Sequence, residues 1–491
     1  MGTIRNQAMR STVITFFGIG IGMLSRGTMP FTLSTEEIGA LFLLGIVSSF
    51  VATIFSLGFP QITLKLFPHF RNAKENHNGF FLFSSTVSSI GSLLGLAFFY
   101  IFKDLLVGDG PGTELIQEYT YLIPPLIFCG IFFRNMDTYL RMLYKSVIGI
   151  FIEGFVLKIT ILTGVILFWM QLINFEKLAY IYTIALALPG IVTLAVAYTQ
   201  TEKRTLPNSA FFSRELKNQI YQNGFFGILA SASGIIILTV DSIMINNLIG
   251  TDSVGIYSTL FFAGILVSTP ARGVKRIASA VIAESWKTNQ LSNIASIYSK
   301  STKTLLISGQ FLFIVGWACI QPALTFLPEY KIGLYVFFFI GLAQLIDMMT
   351  GVNMEIIASS KYFKYNTYFN IVLAIVSVIA NLIFISNWGI VGAAFASTMS
   401  LLTINIIKWY FLKKSFNLQP FDRSFLIALI VGISFFILVS IIKIPLDPIP
   451  LIIFYFVTIS ALYWTIIYQL NLSEDISKVI LKILKKTKFK S

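Results

Sequence analysis

Residues 33–41 read LSTEEIGAL, and residues 249–257 read IGTDSVGIY. The two nonapeptides align without a gap at an offset of 216 residues, and each places an acidic residue three positions before a glycine. Each also lies between two long apolar stretches, the first and second of the chain in one case and the seventh and eighth in the other. The shared offset and context predict two parallel repeats of six apolar stretches each.

The composition is that of a membrane protein. Of the 491 residues, 56% are apolar and only 12% are charged, about half the charged fraction of soluble domains, and the mean hydropathy is +0.80. Fourteen stretches are long enough to cross a bilayer as α-helices. They cover approximately residues 11–33, 38–64, 80–102, 116–140, 147–171, 176–199, 222–249, 254–283, 304–326, 332–358, 366–386, 389–412, 424–442 and 449–470.

The basic residues orient these stretches. An even number of spans puts both termini on one side, and 26 of the 36 lysines and arginines lie on that side, five on the opposite side and five within the stretches. Positive charge accumulates in cytoplasmic loops, so we expect both termini in the cytoplasm. The basic end from Lys478 to Lys490 has the spacing of a short amphipathic helix that adheres to anionic lipid.

These features predict an all-α, polytopic membrane protein with about 14 transmembrane helices in two six-helix lobes plus two C-terminal helices. The predicted N-lobe covers residues 1–219, the C-lobe covers residues 220–412, and residues 413–491 hold the last two spans and the basic cytoplasmic tail. Parallel lobes related by an axis along the membrane normal are typical of transporters, whose substrate site lies between the halves.

Covalent chemistry and nucleic-acid binding are not expected. The chain contains no Gly-Lys pair, which excludes a Walker-type phosphate loop, and it has neither an HExxH nor a paired-cysteine zinc motif. Its loops are too short for a catalytic domain, and the net charge of +14 resides in short loops between apolar spans. We expect no enzyme activity, no metal and no cofactor.

Several basic residues lie within or near the ends of spans, where a charge that faces lipid costs roughly 2.5–3.5 kcal/mol. Arg26 lies in the outer half of span one. Arg272, Lys275 and Arg276 share one face of span eight, just after Pro270, which favours a kink. No acid lies three or four residues from them on this helix, so they require an anion from a partner helix, a lipid headgroup or a ligand.

Other charges within spans have two interpretations each. Arg134 and Asp137 lie one turn apart in span four and either pair or face a cavity, while Lys158 in span five has no acid one turn away. Asp241, Asp347 and Glu355 are candidates for binding a coupling ion, H⁺ or Na⁺, with structural hydrogen bonding as the alternative. The pattern places Asp347 and Glu355 on one face of one helix, two turns apart. Together these charges predict a cavity that is more positive than negative, which suits a phosphate-bearing substrate.

Five segments resemble bacterial polysaccharide and O-antigen flippases of the multidrug/oligosaccharidyl-lipid/polysaccharide (MOP) exporter superfamily. They read LSRGTMPFTLSTEEIGALFLL (24–44), VDSIMINNLIGTDSVGIYS (240–258), STPARGVKRIASAVIAESW (268–286), LPEYKIG (327–333) and SNWGIVGAAFAS (386–397). The resemblance implies alternating access between two lobes in the bacterial cytoplasmic (inner) membrane. It also implies that Arg26 and the Arg272/Arg276 pair bind the pyrophosphate of a polyprenyl-pyrophosphate-linked oligosaccharide such as an O-antigen repeat unit of lipopolysaccharide, and we add Lys275 to this set.

The expected function is therefore a flippase that moves this lipid-linked oligosaccharide from the inner to the outer leaflet. Its expected partners are the substrate, membrane lipids and the polysaccharide assembly machinery, and we expect a monomer. Two alternatives remain: an ion-coupled multidrug exporter of the same superfamily, and a membrane-embedded polysaccharide polymerase or ligase. A drug exporter needs an acidic cavity, and a polymerase or ligase needs a large outer loop.

Overall fold

The computed structural model describes residues 2–72, 77–201, 212–442, 444–478 and 481, and in these ranges the secondary structure is helical, without strands. The chain forms two compact units, Met1–Ser258 and Thr259–Ser491. The predicted amphipathic helix of the basic tail lies outside the described residues, apart from Lys478 and Leu481. The α-helices are α1 (Gly2–Thr28), α2 (Thr35–Phe55), α3 (Phe59–Phe70), α4 (Phe80–Ile101), α5 (Lys103–Val107), α6 (Glu114–Glu118), α7 (Ile123–Met142), α8 (Ser146–Phe151), α9 (Leu157–Trp169), α10 (Phe175–Thr199), α11 (Arg214–Leu248), α12 (Thr251–Ile265), α13 (Thr269–Lys287), α14 (Leu291–Ala323), α15 (Leu334–Met349), α16 (Asn353–Ser359), α17 (Tyr365–Phe416), α18 (Arg423–Ile441) and α19 (Pro448–Gln469).

The predicted all-α membrane fold is confirmed. Among the described residues, 11 helical segments are long and apolar enough to cross a membrane. One of them, α17, contains two predicted spans and bends at Gly389, where φ is 58° and ψ is −138°. The first and fourth predicted spans correspond to α1 and α7, so each of the 14 predicted stretches has a helical counterpart.

Two predicted spans end earlier than expected. The second span was predicted to reach residue 64, but α2 ends at Phe55, and Leu57 and Gly58 adopt positive φ angles before α3 begins. At Gly58 the chain passes so close to Gly224 and Gly227 of α11 that an added Cβ would lie 2.8 Å from the amide nitrogen of Ile228. The turn therefore depends on a residue without a side chain.

The tenth span is also interrupted. Helix α15 ends at Met349 and α16 begins at Asn353, with Gly351 at a φ of 65° between them. Asp347 and Glu355 therefore lie on separate helices, and the prediction that they share a face of one helix is wrong. The cause is the left-handed backbone at Gly351, which ends the hydrogen-bond ladder of an α-helix.

Local sequence explains where α2 and α13 begin. The Ser34 side chain accepts a hydrogen bond from the Glu37 amide at 3.2 Å, and the Glu37 carboxylate accepts one from the Ser34 amide at 2.9 Å, so α2 starts with a complete capping box. In the eighth span, a 3₁₀ turn from Leu266 to Ser268 separates α12 from α13, and Pro270 lies in the first turn of α13.

Each unit has its own apolar core. In Met1–Ser258, aromatic side chains of α3, α4 and α7 pack together, with Phe67, Phe80 and Tyr139 in mutual contact. In Thr259–Ser491, α14 packs against α15, α18 and α19, and the Tyr463 hydroxyl donates a hydrogen bond to the Ile307 carbonyl at 3.0 Å. Helices α18 and α19 are the least covered spans, because only 17% of the residues in the most apolar window of each are buried.

Candidate functional site

Arg26 lies in the last turn of α1, and its side chain is accessible. The guanidinium carbon is 5.4 Å from the centre of the Phe42 ring on α2, a distance at which a cation interacts favourably with an aromatic face. The Tyr182 hydroxyl on α10 is close enough to interact electrostatically with Arg26. Aromatic residues of α2 and α10 thus lie close to the Arg26 guanidinium, and the residue as a whole is exposed.

Lys158 lies against the same helix. A Cβ added at Gly22 would be 3.3 Å from the Lys158 Cδ and 3.6 Å from its Nζ, and Gly22 is one helical turn before Arg26. Arg26 of α1 and Lys158 of α9 therefore lie about one helical turn apart along α1, within the first unit. The sequence identified Lys158 as a cavity charge, and the structure brings it to α1.

The helix that holds Lys158 is irregular just before it. Residues Ile152–Val156 form a π-helix between α8 and α9, a rare element that occurs frequently at functional sites. Gly154 in this segment packs directly on the backbone of α1, since a Cβ added at Gly18 would be 2.8 Å from the Gly154 carbonyl carbon. The contact fixes the position of α1 relative to the π-helix.

Arg134 and Asp137 do not pair with each other. Asp137 forms an ion pair with Arg141, one turn further along α7. Arg134 instead donates a hydrogen bond to the Ser49 hydroxyl on α2 at 3.0 Å and faces a cavity of about 160 Å³. The sequence left open whether Arg134 pairs with Asp137 or faces a cavity, and its position agrees with the second interpretation.

Glu153 of the π-helix lines the same cavity as Arg134. This acid lies within the apolar stretch 147–171 and is not among the site residues predicted from the sequence. The sequence offered one sign that Glu153 matters: it is a carboxylate within an apolar stretch, with neither Lys nor Arg three or four residues before or after it.

Asp241 is buried at 4% exposure in α11 and accepts a 2.6 Å hydrogen bond from the hydroxyl of Tyr257 on α12. Both residues belong to the first unit. The carboxylate is thus held at least partly by a structural hydrogen bond, which was the alternative to an ion-binding role.

In the second unit, α13 carries the three cations predicted for span eight. Arg272 and Arg276 are exposed, whereas Lys275 is half-buried. Lys275 forms an ion pair with Asp347 of α15, with 2.8 Å between Nζ and Oδ2. The anion that the sequence required for these cations is therefore supplied to Lys275 by a partner helix.

Asp347 belongs to a wider polar network beside the break in span ten. The Asn405 amide nitrogen on α17 lies 3.4 Å from the Asp347 carboxylate, and the Asn405 oxygen accepts hydrogen bonds from Thr350 at 2.8 Å and Asn353 at 3.1 Å. These two donors flank Gly351. The network satisfies polar groups that the interrupted helix would otherwise leave buried without partners.

Lys408 is not among the site residues predicted from the sequence. The structure buries it at 5% exposure in α17, with Nζ 3.5 Å from the Met354 sulfur and close enough to Asp347 and Glu355 to interact electrostatically. Its position inside the apolar stretch 389–412 was the available signal. The second unit therefore groups Lys275, Asp347, Glu355 and Lys408.

Comparison with solved structures identifies the fold. The lipid II flippase MurJ in an inward closed conformation matches with a TM-score of 0.68 and 15% identity, covering 93% of this chain and 98% of that chain. A multidrug resistance MATE family transporter of the MOP superfamily, in an inward-facing conformation, matches with a TM-score of 0.60 and 14% identity over 81% of this chain and 94% of that chain. A MOP superfamily transporter from Pyrococcus furiosus, described as having a binding pocket of reverse polarity, matches with a TM-score of 0.52 and 14% identity over 84% of this chain and 95% of that chain.

The search of curated protein sequences found no significant match. The protein family described as "Polysaccharide biosynthesis protein" matches residues 6–282, more than half of the chain, including α2 and most of α1 and α13. The resemblance to MOP flippases and transporters is thereby confirmed. The chain is a multi-pass membrane protein with the MOP superfamily fold, and it belongs to the polysaccharide biosynthesis protein family.

Proposed function

We propose that the protein is a flippase that moves a polyprenyl-pyrophosphate-linked oligosaccharide from the inner to the outer leaflet of the bacterial cytoplasmic membrane by alternating access. The cargo is an O-antigen or another surface polysaccharide repeat unit. The family match and the fold shared with a lipid II flippase support a transport role in polysaccharide biosynthesis. No bond is made or broken in this proposal.

The observation that carries the proposal is the pair of cations on α1 and α9. Arg26 keeps an accessible guanidinium beside Phe42, and Lys158 lies one turn away at Gly22. A pyrophosphate needs such donors, because it gives up the water around its oxygens when it enters a membrane protein. An exporter of cationic drugs would need carboxylates at this position instead.

The α13 residues form the second part of the proposed pyrophosphate site. Arg272 and Arg276 contribute accessible guanidinium groups, and Lys275 contributes when it exchanges Asp347 for a phosphate oxygen. The glycan crosses in an aqueous cleft, away from lipid. The polyprenyl tail stays in lipid beside α18 and α19, the least covered spans.

Coupling to an ion is part of the proposal. Asp241, Asp347 and Glu355 are the candidate residues for H⁺ or Na⁺, and no other cofactor is needed. We further propose that both termini face the cytoplasm, that the protein acts as a monomer, and that it meets the polysaccharide assembly machinery at the membrane.

The test uses purified protein in liposomes with a fluorescent polyprenyl-pyrophosphate oligosaccharide. Arg26→Ala should reduce the flipping rate at least tenfold, because losing a charge-assisted contact costs roughly 1.5–3 kcal/mol. Arg26→Lys should restore only part of the rate, since it keeps the charge but loses the planar fork. Arg272→Ala should behave like Arg26→Ala.

Arg423→Ala is the matched control, since Arg423 is an exposed arginine at the start of α18. It should flip at the wild-type rate. Wild-type flipping by both Arg26→Ala and Arg272→Ala would overturn the proposal. Transport of a cationic dye in place of the lipid-linked oligosaccharide would favour the multidrug exporter, and sugar transfer by the purified protein would favour the polymerase or ligase.

A further inference from the structure

The cavity that contains Arg134 and Glu153 lies entirely within the first unit. Its volume is about 160 Å³, which is room for several water molecules. Its walls come from α2, α7, the π-helix with the start of α9, and α10. Among the lining residues, the polar side chains are Ser48, Ser49, Arg134 and Glu153.

Both charged residues lie deep in their spans. Glu153 is the eighth residue of the helical segment that begins at Ser146, and Arg134 is eight residues before the end of α7. At 1.5 Å per residue, each lies about 10–12 Å from a helix end, within a hydrocarbon core whose half-thickness is about 15 Å. Charges at that depth are expensive unless water, a partner or a proton compensates them.

Arg134 and Glu153 are close enough to interact electrostatically. In the described part of the chain, however, they form no direct ion pair, and Arg134 uses its guanidinium to bind Ser49. The space between them is the cavity. A carboxylate that shares a polar cavity with a guanidinium, without being locked onto it, is able to exchange a proton with water in that cavity.

The charges around Glu153 come from two elements. Helix α7 contributes Arg134, Asp137 and Arg141, and α9 contributes Lys158. The cavity walls from α2 and α10 contribute hydroxyl groups and apolar groups but no charge. An ionised Glu153 therefore offsets part of the positive potential of Lys158, and a protonated Glu153 leaves that potential intact.

The same segment contacts the helix that bears Arg26. Gly154, the next residue, packs on Gly18 of α1, and Lys158 packs on Gly22. A change of charge at Glu153 thus alters the electrostatic potential at Lys158. It also acts on Arg26 through α1, because Gly154 packs on this helix.

We propose that Glu153 is a proton-binding residue whose protonation is coupled to pyrophosphate binding at Arg26 and Lys158. The proton comes from water in the Arg134–Glu153 cavity, and no covalent bond other than the carboxyl O–H forms. Binding of an anion and uptake of a proton then favour each other, and the linkage is reciprocal. This inference rests on the proposed function, because it assumes that a pyrophosphate is the ligand of Arg26 and Lys158.

The experiment is isothermal titration calorimetry of the full-length purified protein with farnesyl pyrophosphate, in buffers of equal pH but different ionisation enthalpy. Wild-type protein should take up a fraction of one proton per pyrophosphate bound, and its Kd should rise with pH by at most about tenfold per unit. Glu153→Gln should still bind the probe but take up no proton, and its Kd should no longer depend on pH.

Two variants keep the result interpretable. Glu114→Gln changes an exposed glutamate in the first turn of α6 and should keep the wild-type proton uptake. Glu153→Met replaces the carboxyl with another neutral side chain of similar length and serves if Glu153→Gln does not fold. Thermal denaturation of each variant verifies that it is folded.

Proton uptake by Glu153→Gln or Glu153→Met equal to that of wild type would overturn the inference. In that case the wild-type protein still binds farnesyl pyrophosphate, so the proposed pyrophosphate site survives. Failure of wild-type protein to bind the probe would overturn the pyrophosphate site and the linkage with it.

Discussion

Gly39 and Gly255 meet in a reciprocal contact. A Cβ added at Gly39 would lie 2.9 Å from the carbonyl carbon of Thr251 and 3.1 Å from the amide nitrogen of Gly255. A Cβ added at Gly255 would lie 2.8 Å from the carbonyl carbon of Thr35 and 3.0 Å from the amide nitrogen of Gly39. The residue numbers in the two sets differ by 216 throughout, so the two nonapeptides that aligned in the sequence touch each other as equivalents.

This contact predicts that neither glycine tolerates a side chain. Gly39→Ala and Gly255→Ala should each destabilise the protein by about 1–3 kcal/mol, the usual cost of overpacking, because the atoms in the way belong to the backbone. Thermal denaturation in detergent, followed by size-exclusion chromatography, measures the loss. Gly234→Ala in α11 has nothing within 4 Å of the added Cβ, so it should leave the melting temperature unchanged or raise it slightly through the higher helix propensity of alanine. An unchanged melting temperature in both test variants would contradict the packing.

The hydrogen bond between Tyr257 and Asp241 should matter for stability. Tyr257→Phe removes this donor from a buried carboxyl, which should cost about 1–3 kcal/mol. The matched control is Tyr221→Phe, since Tyr221 is on the same helix as Asp241 but 75% exposed. The melting temperature should fall for Tyr257→Phe only, and equal effects of the two variants would argue against the bond.

The Lys275–Asp347 pair predicts a non-additive double-mutant cycle. Lys275→Met or Asp347→Asn alone leaves a charge in a polar network beside the helix break. Each single variant should therefore lose about 1–3 kcal/mol, below the value for fully buried pairs because both side chains are partly exposed. The double variant should lose less than the sum of the two. Chemical denaturation of the four proteins gives the coupling energy, and simple additivity would contradict the pairing.

The exposed pair Lys300–Glu474 provides the comparison for that cycle. Its side chains are 55% and 66% exposed, and the atoms are 3.7 Å apart. Solvent and salt screen such a pair. We expect a coupling energy within about 0.5 kcal/mol of zero, measured in the same way.

Asp422 should make stability fall in acid. Burial alone would raise the pKa of Asp422, but hydrogen bonds from Lys303 at 2.7 Å and from the Phe425 amide at 2.8 Å lower it below its usual value. A carboxyl with a lowered folded-state pKa stabilises fully above its unfolded-state pKa of about 3.9, and this stabilisation disappears as the pH falls through the lower folded value.

The measurement for Asp422 is the melting temperature of wild type and Asp422→Asn from pH 6 downwards. The wild-type protein should be the more stable one at pH 6, and the difference should shrink below about pH 4. Because Asp422 is exposed at the start of α18, the effect should be small. A difference that grows on acidification would contradict the assignment.

The sequence predicts the helices of this fold better than their interruptions. The length of each apolar run predicts where a span occurs, because a bilayer is crossed by long apolar helices that satisfy their own backbone hydrogen bonds. It does not specify what happens inside a run: Leu57 and Gly58 shorten span two, and Gly351 divides span ten. Only the contacts of these glycines, with α11 and with Thr302 respectively, show why the backbone turns there.

The sequence predicts which charged residues lie within the spans, but it does not predict which of them form ion pairs with each other. Arg134 lies three residues before Asp137, yet Asp137 pairs with Arg141, which lies four residues after it. Lys275 has no acid three or four residues away on its own helix, and its partner Asp347 is 72 residues further along the chain. Such choices depend on how neighbouring helices pack, which the spacing of residues within one helix does not encode.

The π-helix at Ile152–Val156 has a consequence for how this span tolerates changes in length. A turn with i→i+5 hydrogen bonds holds one residue more than an α-helical turn, so deleting one residue of this segment would let it close as regular α-helix while the side chains beyond it kept their facing. Lys158 would then remain against Gly22. Natural homologues that lack this one residue should consequently keep their basic group facing α1, whereas the same deletion in a regular helix such as α10 would rotate every side chain beyond it by about 100°.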